Sequence, residues 1–490
     1  MTVDYSRALK LANLVTAGKS SDLEKHLDAT TTVLTIDPEM PQAELTARVL
    51  LTTLRRGLGE VVLVSDGLPK ELVATLEEAS EEVDPDRRLV ILREKDRVSG
   101  NAIRIHIGPC CTSASIRIVP EGFGAHVASM SSAIISPKRA GNALGAVFSA
   151  SLGAAEVFKH AALVRPQRRI LHRHLKVCPV ALSNNLSAAP QVPDLNIELT
   201  LIGVGAIGTG IVLLLEELQA EGKIILVDRE RFARENVGTY SIGGAADAET
   251  GVWKVALAGR HLRRFDVIEQ AIAVDDQIHA VDAFEVPWTP LVMTALDSPN
   301  ARRDAQRLWP DHLIDAQTGD TMLGFCEYRH GIDPCMLCLF SIDQNQPSRG
   351  DVLSELLGLS NEQLADPDRI LTTHDLSRLT EQQRDVLRPL VGTPICGLAR
   401  ASGLSEIDAS DFMPSVPFVS LQAACLSVAR LIRSVQGLST TENFVQYDAL
   451  CGPQLATVEN MKRRTGCICQ ARSDTIDIMR SRRRTGVDPL

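Results

Sequence analysis

Leu199-Thr200-Leu201-Ile202-Gly203-Val204-Gly205-Ala206-Ile207-Gly208 decides the fold of this chain, together with Ile224-Ile225-Leu226-Val227-Asp228 downstream. An apolar run ends in GxGxxG, an apolar helix follows, and a second apolar run ends in an acid. This is the pattern of a nucleotide-binding βαβ unit. Gly203 allows a tight turn, Gly205 lets phosphates approach the backbone, and Gly208 lets the helix pack on its strand. Asp228, ~20 residues on, can bond a ribose hydroxyl. The unit begins near residue 195, so a domain's length of chain precedes it. A dehydrogenase with its fingerprint at the N-terminus is therefore not the first expectation.

Composition narrows the classes. A chain of 490 residues holds two to four domains at ~100–200 residues each. Aromatics make up only 4% and the net charge is −10, which argues against stacking platforms and phosphate-tracking surfaces for nucleic acid. No run of 18 or more apolar residues suggests a membrane span. The start, Met1 to Val15, lacks the basic and apolar segments of a signal peptide. Eleven cysteines in such a context point to metal or catalysis, and to the cytoplasm, in preference to a disulfide framework.

The first region has its own α/β rhythm. Glu60–Asp66, Arg88–Leu92 and Ala102–Gly108 read as strands, and Ala140–Leu163 as a packed helix with Gly153 a candidate break. It has no glycine loop. The basic stretch Arg165–Lys176 leads to a Ser-, Asn-, Ala- and Pro-rich linker. From about 195, strands at Glu198–Gly203, Lys223–Asp228, Leu291–Leu296 and His312–Ala316 alternate with helical stretches, which predicts a mostly parallel sheet. Strand signals vanish between 341 and 409, where charged helical pieces such as Asn361–Ile370 and Thr380–Leu390 dominate. An apolar helix resumes at Pro417. The expected architecture is α/β, with a Rossmann-like domain formed by 197–340 and 410–490. A helical insertion at 341–409 interrupts it, and an α/β domain at 1–178 and a linker at 179–196 precede it.

Cysteine spacing supplies the next signal. Cys335 and Cys338 form CxxC, and Cys467 and Cys469 form CxC. Two tight turns that each offer two thiolates suit tetrahedral zinc. A redox pair is the alternative, although such a pair normally opens a helix after a strand. Asp297 ends an apolar run at what would be a strand's carboxyl edge, where it could hold Mg2+ on a nucleotide or cap the helix that Pro299 begins. Lys254, after Gly251, could neutralise phosphate. On spacing alone a solvated surface lysine is the better account of it.

Taken in order, these residues resemble the ThiF/MoeB/HesA superfamily, which includes the ubiquitin-activating enzymes. The resemblance runs through Gly203, Gly205 and Gly208, then Asp228, the stretch Glu235–Tyr240 with Asn236, Gly251 and Lys254, Asp297 with Arg302, and the two cysteine pairs. It covers roughly 195–340 and 410–470. It implies that Asn236, Lys254, Asp297 and Arg302 join the glycines and Asp228 around ATP and Mg2+, with Zn2+ on the four cysteines. Thr239 and Tyr240 stand where the family has Arg and Gln, so another cation, such as Arg234, Arg302 or an arginine of the first region, must replace that arginine. The first region, 1–178, resembles an inactive adenylation half. Cys396, in Thr393-Pro394-Ile395-Cys396-Gly397 between the cysteine pairs, is the candidate thioester-forming residue. Cys425 and Cys326 read as buried, in an apolar helix and a strand.

What the resemblance implies is an activating enzyme of a bacterial, antiphage-type ubiquitin-like conjugation system. Its partners would be a ubiquitin-like protein and a conjugating enzyme, and it would work as a homodimer. The alternatives are a sulfur-carrier adenylyltransferase of cofactor biosynthesis and an NAD-dependent oxidoreductase.

Overall fold

In the computed structural model the described residues are 29–57, 59–93, 102–110, 114–129, 135–162, 174–186, 194–340, 369–388, 416–438 and 441–486, with isolated positions at 11, 12, 27, 359, 360, 363, 391 and 392. They form two sheets with a layer of helices between them.

The first sheet contains β1 (Thr31–Ile36), β2 (Glu60–Val64), β3 (Val90–Leu92), β4 (Ala102–Ile107), β5 (Ile116–Glu121), β6 (Gly124–Ser129) and β7 (His174–Val177) in the order β3-β2-β1-β4-β5-β6-β7. The second contains β8 (Asn196–Ile202), β9 (Glu221–Val227), β10 (Phe265–Gln270), β11 (Leu291–Thr294), β12 (His312–Gly319), β13 (Met322–Arg329), β14 (Phe444–Asp448) and β15 (Thr457–Glu459) in the order β10-β9-β8-β11-β12-β13-β14-β15. In each sheet the first five strands of this order are parallel, and the rest add on antiparallel. The two halves of the chain therefore repeat one topology. No fixed period in the sequence announces this, because loop lengths differ between the halves and the residues that repeat are only apolar.

The helices repeat as well. We label α1 (Ala43–Gly57), α2 (Lys70–Val83), α3 (Ala143–Ala161), α4 (Ala206–Glu217), α5 (Lys254–His261), α6 (Val274–Asp282), α7 (Pro299–Gln306), α8 (Pro417–Val435) and α9 (Ser473–Thr485). α1 and α4 follow the first strand of their halves, and α3 and α8 precede the last antiparallel strands. These four make the middle layer. α3 and α8 are buried almost all round, which is why they read as apolar on every face. α8 is long and apolar enough to cross a membrane by length and composition, but it is largely buried here as a core helix. Gly153 does not break α3. A Cβ there would meet Ile105 and Ile118 at 3.1 Å, so the glycine lets the helix lie close on its sheet. Between the halves, the rings of Phe158 and Phe418 stand 5.3 Å apart; within the second half, a Cβ at Gly210 of α4 would come within 2.8 Å of the Ala424 methyl of α8.

Two buried cations stitch the halves together. Lys159 of α3 donates to the Leu450 carbonyl at 3.0 Å. Arg56 of α1 donates to the carbonyls of Val237 and Gly243 at 2.6 and 2.7 Å, and burial pulls its pKa down to about 10. The expected linker is partly woven into this core, with Val180 and Leu186 buried. Within 341–409, Glu381–Leu387 is helical, while most of Asn361–Ile370 and all of the Cys396 loop lie outside the described residues.

Arg56→Ala strands two buried carbonyls and should cost about 2–4 kcal/mol in urea unfolding. Arg56→Lys should recover less than half, since one ammonium cannot fork to both acceptors.

Candidate active site

The carboxyl ends of the parallel strands in the second sheet surround a cleft of about 420 Å³. β8 delivers the chain into it. Gly203 has φ +92°, and a Cβ there would lie 2.6 Å from the Ala295 carbonyl oxygen. Gly208 has no room either, because its Cβ would fall 2.1 Å from the Gly203 oxygen. Gly205 differs. Its backbone, φ −84° and ψ −155°, suits any residue, and the nearest obstacle to a Cβ is the Tyr240 hydroxyl at 3.8 Å. Nothing among the described residues needs a glycine at 205, so the missing side chain leaves space in the cleft itself. Gly205 also begins α4, whose first amides and dipole favour an anion.

Asp228 follows β9 and lines the cleft. One carboxylate oxygen accepts from the Val204 N–H at 2.8 Å and the other from the Glu230 N–H at 2.9 Å, which ties the glycine loop to the neighbouring strand. Glu230 also lines the cleft. Behind it lies Lys254, which is 1% exposed, ion-paired to Glu230, and 5.3 Å from the centre of the Tyr240 ring. Lys254 does not itself line the cleft. Nor does Asn236, whose side chain accepts from the Ala233 N–H at 2.8 Å and folds the following turn. That turn buries Thr239, whose hydroxyl donates to the Asn236 carbonyl at 3.3 Å, and turns Tyr240 toward the glycine loop.

Asp297 follows β11 and lines the opposite side of the cleft. Ser298, not Asp297, caps α7, accepting from the Ala301 N–H at 3.1 Å. Arg302 donates twice to the Leu296 carbonyl, at 3.2 and 2.7 Å, and stands 3.5 Å from the Asp315 carboxylate. Thr294 and Gln317 also donate to Asp315, each at 2.6 Å. Burial nonetheless raises the Asp315 pKa, against the pull of Arg302 and these two donors. Cys326, against the same network, is pushed up to about 12 by burial and then by Asp315. Burial likewise raises the Cys425 thiol. Neither supplies a thiolate near neutral pH.

The second constellation lies beyond α7. The sulfurs of Cys335, Cys338, Cys467 and Cys469 all lie within 4.8 Å of one another, with Cys335 3.8 Å from Cys338 and 3.6 Å from Cys467. Cys338 is 3.6 Å from Cys469. Four sulfurs ~2.3 Å from one zinc stand about 3.8 Å apart, so the donor set fits that ion, and these separations are far too long for disulfides. Burial and the neighbouring sulfurs push the Cys335 thiol far up. A bound cation would let these four clustered sulfurs stand together as thiolates. Gln306 at the end of α7 accepts from the Met336 N–H at 3.0 Å, so the cysteine turn is joined to the helix that follows Asp297.

The structure thus brings Gly203, Gly205, Asp228, Asp297 and Arg302 to one cleft. It places Gly208, Asn236 and Lys254 just behind it and gathers the four cysteines some way off. Motif spacing overlooked Arg229, Tyr240 and Thr318, which also line the cleft. Only Tyr240 had drawn notice, as a departure from a family pattern.

No protein-family model and no curated protein matches this chain. Among solved structures it is similar to E. coli MccB with ATP, at 14% identity over 72% of this chain and 96% of that one, with a TM-score of 0.37. It is also similar to E. coli MccB with MccA-N7isoASN, at 14% identity over 72% and 97%, with a TM-score of 0.38. Likeness this distant carries no argument about residues or chemistry.

Two glycine substitutions separate packing from ligand space. Gly208→Ala should lose about 3 kcal/mol or more in chemical denaturation, whereas Gly205→Ala should stay within about 0.5 kcal/mol of the parent. A destabilised Gly205→Ala would show that this glycine serves the protein's own packing.

Proposed function

We propose that this chain activates the C-terminal carboxylate of a ubiquitin-like protein by adenylation and passes the acyl group to a thiol. The observation that carries the proposal is the joint placement of the Gly205 helix start, Asp228 and Asp297 along one cleft. A carboxylate oxygen of the partner's C-terminus would attack the α-phosphorus of ATP. As that P–O bond forms, the bond to the bridging oxygen breaks and pyrophosphate leaves, giving an acyl-adenylate. The amides that open α4 would hold phosphate oxygens, and Asp228 would hold the ribose.

Five carboxylates (Asp228, Glu230, Asp275, Asp297 and Asp304) and two arginines (Arg229 and Arg302) line the cleft. That balance repels a bare polyphosphate and calls for a divalent cation alongside it. Asp297 is the residue we assign to Mg2+, which would neutralise charge on the phosphates when bound. Arg302 holds the Asp297 turn through the Leu296 carbonyl, and Lys254 offsets Glu230 from below. We assign Zn2+ to the cysteine cluster, where it would pin the chain on both sides of 341–409.

In the second step the Cys396 thiolate would attack the acyl carbon and release AMP, and the thioester would pass to a cysteine of a conjugating enzyme. Cys396 lies outside the described residues, so its assignment rests on sequence. The family resemblance supports a homodimeric, cytoplasmic enzyme of a bacterial antiphage system. The resting state of the buried thiols supports it too, because Cys326 and Cys425 are unsuited to the step. A sulfur-carrier adenylyltransferase would stop at the adenylate.

Pyrophosphate exchange tests the first step. Asp297→Ala should lower carboxylate-dependent exchange by at least about a hundredfold and leave unfolding unchanged. Stabilisation by NAD(H) with none by Mg-ATP would overturn the proposal. Cys396→Ala should retain exchange and lose the thiol-sensitive adduct with the partner protein. Survival of the adduct in that variant would remove Cys396 from the mechanism. Metal analysis of reductively purified protein should find one zinc per chain, and Cys335→Ser should lose it and lower stability broadly.

A further inference from the structure

The first two cleft carboxylates in the chain flank an arginine that the proposed chemistry has not used. Arg229 lines the cleft, is exposed, and makes no hydrogen bond or ion pair among the described residues. Its neighbours do not draw it aside. Asp228 is engaged by the Val204 and Glu230 amides, and Glu230 by Lys254. β9 and β10 run parallel, with Val227 opposite Gln270 as the last pair. Two residues further along each strand are Arg229 and Ile272, and Ile272, Ala273 and Val274 form the adjoining wall of the cleft. In the sheet order β10-β9-β8-β11, this end lies two strand spacings, ~10 Å, from the Asp297 end.

Asp297 and Arg302 therefore mark one end of the cleft. At the other end the Arg229 guanidinium, flanked by Asp228 and Glu230, stands beside the apolar Ile272–Val274 wall, which Asp275 continues. A planar guanidinium binds a flat heteroaromatic face well, through stacking and cation–π attraction. We infer that Arg229 is a specificity-determining residue, one that stacks on the purine base of the nucleotide against the Ile272–Val274 wall. The inference rests on the nucleotide reading of the same cleft and deepens it. It also separates this arginine from the one the family resemblance lacks at Thr239, because Arg229 stands at the base end of the cleft.

The test is calorimetric titration of the full chain and of Arg229→Ala with Mg-ATP, Mg-CTP and inorganic tripolyphosphate, with NADPH and NADH as controls. Arg229→Ala should weaken Mg-ATP about tenfold, weaken Mg-CTP less, and leave tripolyphosphate unchanged. Arg229→Lys should recover only part of the loss. Equal weakening of ATP and tripolyphosphate would assign Arg229 to the phosphates and overturn the inference. A loss confined to NADPH would assign it to a 2′-phosphate and overturn it likewise. If the parent binds ATP and Arg229→Ala binds it equally, the inference alone fails. If the parent binds no nucleotide, the reading of the cleft fails with it.

Discussion

The glycine loop depends on the close contact between Gly208 and the carbonyl of Gly203, where a single added methyl would overlap an oxygen at 2.1 Å. It sets the angle at which α4 leaves β8. That angle aims the first amides of α4 into the cleft. Its far side is equally constrained, since Gly210 meets Ala424 of α8 with no space for a Cβ. One short run of small residues therefore joins the cleft to the helix layer that holds the halves together. Cleft and core share the same backbone, and neither can be moved without the other.

The duplicated topology gives this arrangement a second meaning. Both halves build five parallel strands in the same order and extend them with antiparallel strands. In the first half the turn after β1 is Asp37-Pro38-Glu39-Met40-Pro41-Gln42. Two prolines remove backbone N–H groups at the place where the second half presents them. The first half thus keeps the scaffold and lacks the amides of the glycine turn. It serves the second half through contacts such as Arg56, which holds the carbonyls on either side of the Thr239–Tyr240 turn. A distortion there would reach Tyr240, Lys254 and Glu230 in sequence, because each touches the next.

The cysteine cluster plays a parallel part on the other flank. Its first turn is bonded to Gln306, at the end of the helix that Ser298 caps. α9 follows the second cysteine pair and returns to the same corner, where Arg483 donates to the Leu308 carbonyl at 2.9 Å. Holding this corner still keeps Asp297 and Arg302 in register with the glycine loop. The cluster need not touch the cleft to matter to it.

The sequence alone determined a good deal. Period-two and continuous apolar runs located β2, β4, β8, β9, β11 and β12, because buried parallel strands need apolar side chains on both faces. The glycine spacing was legible because Gly203 and Gly208 answer to local backbone geometry, and the cysteine pairs because two tight turns each bring two sulfurs to one point. Tertiary structure decided the rest. Ser298 instead of Asp297 caps α7, and Gly153 packs α3 instead of breaking it. Lys254 lies beneath Glu230, and Asn236 folds its own turn. The resemblance of 1–178 to an inactive adenylation half had implied a related first domain, but the strand-for-strand repeat of the two sheets, the antiparallel extensions and the exposure of Arg229 at the cleft's edge were not legible in the chain. Each depends on which residues from distant segments meet, and a hydrogen bond or an ion pair between distant positions leaves no period in a sequence.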